Sequence, residues 1–373
     1  MLGSKIFLFI LLTFNPLEVE QCCLQNLSVW HNPINSSAWG LKSFNSTLDP
    51  QSFGPFDIGE IHILCDQYHI LSYFGKGLIK NLVNLTKLSV SGCSFETIAP
   101  GAFVNLVQVT DLVITYTELN EVVAGAFDGL PKLKNLNLDN NKLVRIEQQA
   151  FNSLDKLSFV NLNQNMLDRM RREWFGSSMS SITTFFIQKN LLKEIPQGMF
   201  LGWSNLKSVN LDYNQISVIH SRAFEDIAPT IENLGLHHNH LKNLSLNSFS
   251  SNARIDVLRI SANLFNYVPE SFLMGATIKY LYVHGNPLRC SCLDKINMLA
   301  TNKGGMMVDY PSDPYILRQC KSDYVPVCVV PKRFDESCFE EVDEEVTKYF
   351  FSYLRKIGWD RNPREKCAMF DVL

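Results

Sequence analysis

Beyond its first fourteen residues the 373-residue chain has no apolar run approaching the roughly 20 residues that a transmembrane helix needs. The end, Glu365 to Leu373, also lacks the hydrophobic tail of a lipid-anchor signal. Both absences predict a soluble mature chain. Charge of one sign is scarce as well: 34 Lys and Arg against 37 Asp and Glu leave −3, spread along the sequence. That offers neither a basic stripe for nucleic acid nor a polybasic patch for a membrane surface. Catalytic spellings are missing too, with no nucleophile elbow, His-Glu-x-x-His helix, phosphate-cradling glycine loop or calcium loop. Neither an enzyme nor a cofactor is expected.

What is present begins with an export segment at residues 1–20. Lys5 supplies a positive start and Ile6 to Phe14 an apolar run too short to span a bilayer, although small residues at the usual cleavage spacing are missing from Asn15 to Glu20. Ten cysteines and five Asn-x-Ser/Thr sites, at Asn26, Asn35, Asn45, Asn84 and Asn243, suit an oxidising, glycosylating route. The expectation is a secreted, extracellular glycoprotein with disulfide bonds.

From Leu85 onward the pattern L-x-x-L-x-L-x-x-N-x-L-x-x-L returns every 23 to 25 residues, starting at Leu85, Val109, Leu133, Leu157, Ile182, Leu206, Ile231, Ile255 and Ile278. In the clearest unit, Leu133 to Ile146, Leu136 and Leu138 alternate as inward strand residues should, leaving Asn137 and Asp139 outward. A unit this short cannot bury its own apolar face, so neighbours must stack. Period and spelling match the leucine-rich repeat. The expected fold is an α/β-type solenoid: a curved arc with a parallel sheet on its concave face and a mostly irregular, short-helical convex side. Residues 61–289 make about ten repeats, the first degenerate.

Asparagine occupies the ninth position as Asn141, Asn165, Asn190, Asn214, Asn239, Asn263 and Asn286, where the chain leaves the strand and its backbone groups need partners. Cys93 and Thr117 replace it in the earliest units. Cys93 reads as a buried structural thiol. Phe103, Phe127, Phe151, Phe175, Phe200, Phe224, Phe249 and Phe272 fall 17 or 18 residues after each unit's first position and should stack as an aromatic core spine.

Solenoid ends expose apolar edges and need caps; these are placed at 21–60 and 290–338, with a helix and tail at 339–373. Ser337-Cys338-Phe339-Glu340 spells a capping box, and Val342, Val346, Tyr349, Phe350, Tyr353 and Ile357 share one face of a helix running to about Ile357. At the N-terminal end Cys22, Cys23, Cys65 and Cys93 leave two arrangements open. If Cys93 is free, Cys65 pairs with Cys22 or Cys23 and the remaining neighbour can bridge to another chain; otherwise Cys65 bonds Cys93.

The run Asn286-Pro-Leu-Arg-Cys290-Ser-Cys292, followed by Cys320, Cys328 and Cys338, resembles the cysteine-rich C-terminal flank of extracellular leucine-rich-repeat proteins. The resemblance implies bridges Cys290–Cys320 and Cys292–Cys338, leaving Cys328 and Cys367 for a third. A zinc site is disfavoured because exported thiols oxidise. The adjacent Cys22-Cys23, lean N-terminal cap and extra tail are also similar to the insect secreted leucine-rich immune proteins and to Toll-like ectodomains. The long coiled coil of the former is absent, so their heterodimer assembly is not implied, and without a membrane span and signalling domain neither is receptor signalling.

Function is then expected on the outward columns of the sheet: Ser89, Val113, Asn137, Asn161, Phe186, Asn210, Gly235, Arg259, Tyr282; beside it Ser91, Thr115, Asp139, Asn163, Gln188, Asp212, His237, Ser261, His284; and a third from Gly92 and Tyr116 to Tyr213, His238 and Gly285. Aromatics there are costly to leave in water and suit a binding hot spot. Phe159, Phe186, Tyr213, His237, Arg259, Tyr280 and Tyr282 are the predicted contacts. None of the five Asn-x-Ser/Thr sites falls in these columns. His237 and His284 lie two strands apart, about 10 Å by strand spacing, so no metal site is expected, while Asp212 beside His237 suggests a pH-dependent ion pair. The reading is a secreted binding protein that takes a protein or glycan on its concave face, in innate immunity. A self-associating matrix or adhesion component, as a disulfide-linked or non-covalent dimer, is the alternative.

Overall fold

The computed structural model describes residues 27–33, 40–44, 47–53, 57–65, 71–176, 178–229, 231–250, 253–288, 290–308 and 348. The export segment, Cys22, Cys23, Asn26, Asn35, Asn45, Cys320, Cys328, Cys338, Cys367 and all but Lys348 of the expected tail helix lie outside them.

One thirteen-stranded sheet runs the length of the described chain. Its strands are β1 (Leu27–Pro33), β2 (Gly40–Phe44), β3 (Ile58–Leu64), β4 (Lys87–Ser91), β5 (Asp111–Thr115), β6 (Asn135–Asn137), β7 (Phe159–Asn161), β8 (Thr184–Phe186), β9 (Ser208–Asn210), β10 (Asn233–Gly235), β11 (Arg254–Arg259), β12 (Thr277–Tyr282) and β13 (Met306–Val308). From β3 to β13 every neighbour is parallel, as stacked repeat turns require. The N-terminal end departs from the all-parallel expectation, because β1 pairs antiparallel with both β2 and β3. A hairpin laid against β3 satisfies the row of backbone groups that the first turn would otherwise leave open.

The side opposite the sheet is built from short pieces, including two-residue strand pairs such as Glu121–Val122 with Arg145–Ile146, 3₁₀ turns such as Arg172–Trp174, and the short helix α1 (Glu270–Gly275). Helix α2 (Cys290–Thr301) then crosses the C-terminal end, burying Ile296, and leads into β13. Cys292 within it is buried and disulfide-bonded. Among the described residues no helix is long and apolar enough to cross a membrane.

Two repeated features hold the turns together. The ninth-position asparagines are all at most 7% exposed. Each amide oxygen accepts a backbone N–H from the preceding turn, as Asn165 does from Leu143 at 3.0 Å, Asn190 from Leu167 at 3.0 Å and Asn214 from Leu192 at 3.2 Å. Each amide nitrogen donates to a carbonyl of its own turn and one of the turn before, as Asn165 does to Leu162 and Leu138. The side chain thus replaces water for backbone groups that the buried turn cannot pair by itself. The phenylalanine column stacks as expected, with ring centroids 6.4 Å apart for Phe103–Phe127, 5.9 Å for Phe127–Phe151 and 5.0 Å for Phe151–Phe175. Between Phe175 and Phe200 an indole intervenes: Trp203 lies 4.8 Å from the first ring and 5.6 Å from the second.

Cys93 is buried, but it is not a free thiol. It bonds Cys65, with Cα atoms 4.9 Å apart. The register explains this, since Leu64 on β3 stands opposite Ser91 on β4 and the following residues remain one turn-spacing apart. Gly92 makes the approach feasible: it has φ +73°, and a Cβ there would lie 2.7 Å from the Cys65 carbonyl oxygen.

Candidate functional site

Because successive turns keep the same register, the outward residues of β4 to β12 line up across the sheet as Ser89, Val113, Asn137, Asn161, Phe186, Asn210, Gly235, Arg259 and Tyr282. Phe159, Phe186, Tyr213, His237, Arg259, Tyr280 and Tyr282 are all half-buried on this face or at its rim. They form two groups rather than one. Phe159 and Phe186 meet edge to face on β7 and β8 at 5.6 Å. Tyr282 stands four strands beyond Phe186, about 19 Å at the usual strand spacing, with Asn210, Gly235 and Arg259 between them in the ladder.

Tyr213 is not a strand residue. It sits in the turn after β9 with φ +56°, and its column shares that left-handed conformation at Tyr116, Asn140, Gln164, Lys189, His238 and Ala262. The side chain therefore leaves the sheet at its rim. Its ring stacks on His238 at 4.5 Å, and Lys189 Nζ lies 5.5 Å over it.

Gly235 leaves a dent beside this rim. A Cβ there would stand 2.6 Å from Asp212 Oδ1 and 3.0 Å from Asn210 Oδ1, so the carboxylate and amide lean into the space of the missing side chain. Asp212 is 7% exposed; its Oδ1 accepts the His237 backbone N–H at 2.8 Å and its Oδ2 lies 3.8 Å from Arg259 Nε. The expected ion pair between Asp212 and the His237 ring is thus replaced by a backbone hydrogen bond, and the carboxylate's cationic neighbour is Arg259. Gly235 and this carboxylate were not recognisable as a unit from sequence; the signal was a lone glycine in a column otherwise filled by side chains.

The histidines also differ from expectation. The rings of His237 and His284 approach to 6.0 Å rather than about 10 Å, because Ser261 between them in the column is small. His284 Nδ1 is 3.0 Å from Ser261 Oγ. Among the described residues no three His, Cys, Asp or Glu side chains converge on one point. Burial in the packed sheet holds the His237 ring well below the ordinary histidine range, with His238, His284 and Arg259 adding repulsion, and burial pushes His284 down to about 4. Both rings are neutral at pH 7 and so add no charge to the surface.

This carries a pH dependence. The unfolded chain protonates His284 near 6.5 and the folded chain only near 4. Its contribution to stability is therefore complete above 6.5 and lost as pH falls toward 4, to a limit of about 3 kcal/mol. Urea midpoints measured from pH 7 to pH 4.5 should fall more steeply for the native chain than for His284→Gln. Parallel curves would contradict the assignment.

The two Asn-x-Ser/Thr sequences within the described residues stay off this face: Asn84 precedes β4, and exposed Asn243 follows the turn after β10.

The leucine rich repeat family matches residues 83–143, 131–178 and 180–228. No curated protein sequence matches the chain. Among solved structures, a chain of the mouse RP105/MD-1 complex is similar, with 20% identity over 64% of this chain and 40% of that one, at a TM-score of 0.53. The leucine-rich repeat domain of APL1B is also found, with 23% identity over 56% of this chain and 59% of that domain, at a TM-score of 0.43. This chain thus spans less than two thirds of either relative. Repeat spelling, parallel turn stacking and the family matches between residues 83 and 228 together show the leucine-rich-repeat fold.

Proposed function

We propose that the chain is a secreted binding scaffold, without catalytic activity, that recognises a protein or glycan partner on its concave face in innate immunity. The observation that carries this reading is the concave sheet itself: half-buried aromatic side chains at Phe159, Phe186, Tyr213, Tyr280 and Tyr282 stand on a rigid, repeat-built surface that Asn84 and Asn243 avoid. Leucine-rich repeats generally act as extended binding surfaces, and RP105 with MD-1 is an instance of this fold in a complex with another protein. The export segment, ten cysteines and glycosylation sites support the extracellular setting.

Replacing Phe186, Tyr213 and Tyr282 together by alanine should abolish capture of partners from native extracellular fluid while the chain is still exported, since half-buried outward side chains are not core. Capture undiminished by the triple substitution would refute the surface assignment.

A further inference from the structure

The concave face is not chemically uniform, and its middle carries a pattern of its own. On β6, β7 and β9, Asn137, Asn161 and Asn210 each use the side-chain oxygen to accept the backbone N–H two residues on, from Asp139 at 3.0 Å, Asn163 at 3.0 Å and Asp212 at 2.9 Å. That bond settles which way each amide faces. The oxygen is held against the sheet, and the NH₂ group turns outward, with no acceptor among the described residues. The ladder register sets these amides in one row with Phe186, spaced by the strand separation of about 4.8 Å. Phe159 and Phe186, edge to face at 5.6 Å, form an apolar ledge along the row.

Around that ledge lie the strand residues Asn135, Thr184 and Ser208 on one side and, just past the strand ends on the other, half-buried Asp139 and Gln188 with buried Asn163 and Asp212. Two are carboxylates and none is a cation. Asn163 also spends its oxygen on the Gln188 backbone N–H at 2.8 Å. The surface therefore presents oriented N–H donors, a partly exposed aromatic ledge and one half-buried carboxylate, Asp139.

We infer that this middle segment, centred on Asn137, Asn161, Phe159, Phe186 and Asn210, is a subsite for a neutral oligosaccharide. The inference rests on the concave-face reading and names the ligand class for one part of it. A pyranose ring offers what the segment lacks: hydroxyl and ring oxygens to accept from the outward amides, and a face of C–H groups to lie on the phenyl rings. The hydroxyls also donate to Asp139. Sulfated or otherwise anionic chains are disfavoured, since no cation stands among these positions and the half-buried Asp139 carboxylate repels them. A protein hot spot is disfavoured here because such centres are built on Trp, Tyr and Arg. Those chemistries lie on the other part of the face, at Tyr213, Arg259, Tyr280 and Tyr282.

The test uses the full secreted chain on immobilised neutral β-glucan, mannan and chitin oligosaccharides, with heparin as the anionic comparison. Asn161→Asp keeps the oxygen that accepts from Asn163 and exchanges the outward NH₂ donors for a charged oxygen, so it should retain the native melting midpoint and lose binding by about tenfold. Phe186→Ala should lose binding comparably, and Val218→Ala, exposed on the side opposite the sheet, should leave it unchanged. Failure to bind any of the neutral probes, preference for heparin, or full binding by Asn161→Asp would overturn the subsite. In each of those outcomes, loss of protein capture by the Phe186, Tyr213 and Tyr282 triple variant would still uphold the concave-face reading. Glycan binding and protein capture both indifferent to every concave substitution would sink the two together.

Discussion

Asn239→Ala is expected to cost about 4 kcal/mol of stability and to cut the yield of folded protein sharply. Asn239 is 2% exposed. Its amide oxygen accepts the Ile216 N–H at 3.0 Å, and its nitrogen donates to the carbonyls of Leu211, Leu236 and His237 at 3.0, 3.2 and 3.2 Å. The losses are unequal. Leu211 O keeps a bond from Asn214, Leu236 O one from Asn263 and His237 O one from the Tyr213 N–H. Ile216 N–H keeps none, and a buried orphan donor alone costs about 1–3 kcal/mol. Loss of the other bonds and the space left by the amide supply the remainder. Asn239→Asp discriminates the mechanism: it preserves the acceptor for Ile216 but aims a carboxylate at three carbonyl oxygens, and should be at least as harmful. Chemical denaturation measures both, and a cost below about 1 kcal/mol for the alanine variant would dismiss the ladder as an energetic element.

A comparable loss, about 3–5 kcal/mol, is expected for Phe175→Ala. The ring is fully buried and lies where the stack is interrupted, 5.0 Å from Phe151, 5.8 Å from Phe185 and 4.8 Å from Trp203. Phe151 belongs to the turn before and Phe185 and Trp203 to the turn after, so none can collapse into the space without leaving its own partners, and the cavity term persists. In a solenoid each turn is stabilised chiefly by the adjoining ones, so a weakened mid-arc interface should also broaden the unfolding transition. Phe159→Ala is the control: the same deletion from a half-buried position on the concave face should cost about 1 kcal/mol or less. Equal urea midpoints for the two variants would refute the distinction between spine and surface.

Much of this framework is legible in the sequence. Asn141 to Asn286 and Phe103 to Phe272 announced their roles because a residue repeated once per turn is stacked on itself, and the concave columns followed from the strand's two-residue alternation. Departures arose where one turn differs from the next. Cys93 replaces an asparagine and meets Cys65 across a single strand spacing. Trp203 enters the phenylalanine stack from outside its column. Tyr116, Gln164, Lys189 and Tyr213 adopt positive φ without being glycine or asparagine, the residue types that would have signalled it.

The candidate surface was legible to a lesser degree. Sequence named Phe186, Arg259 and Tyr282 as outward, and they are, but treated the aromatics as one hot spot although the ladder separates them into two groups. Placing His237 and His284 by strand spacing overestimated their separation, since side chains lean across a small Ser261. The inward-turned oxygens of Asn137, Asn161 and Asn210 had no sequence signature beyond asparagine itself.

By itself, then, the sequence determined the solenoid, its buried asparagine ladder and aromatic spine, and the central strand column that holds Asn137, Asn161, Phe186 and Tyr282, because each of these depends only on periodicity; in the next column Thr115, Asn163, Asp212 and Ser261, read as outward, are buried. Tertiary structure alone decided the Cys65–Cys93 bond, the antiparallel N-terminal hairpin, the dent at Gly235 and the orientation of the concave amides. The bond and the dent turn on distances between adjoining turns, the hairpin on backbone pairing outside the repeat and the amides on a local bond to the residue two further on, none of which periodicity specifies.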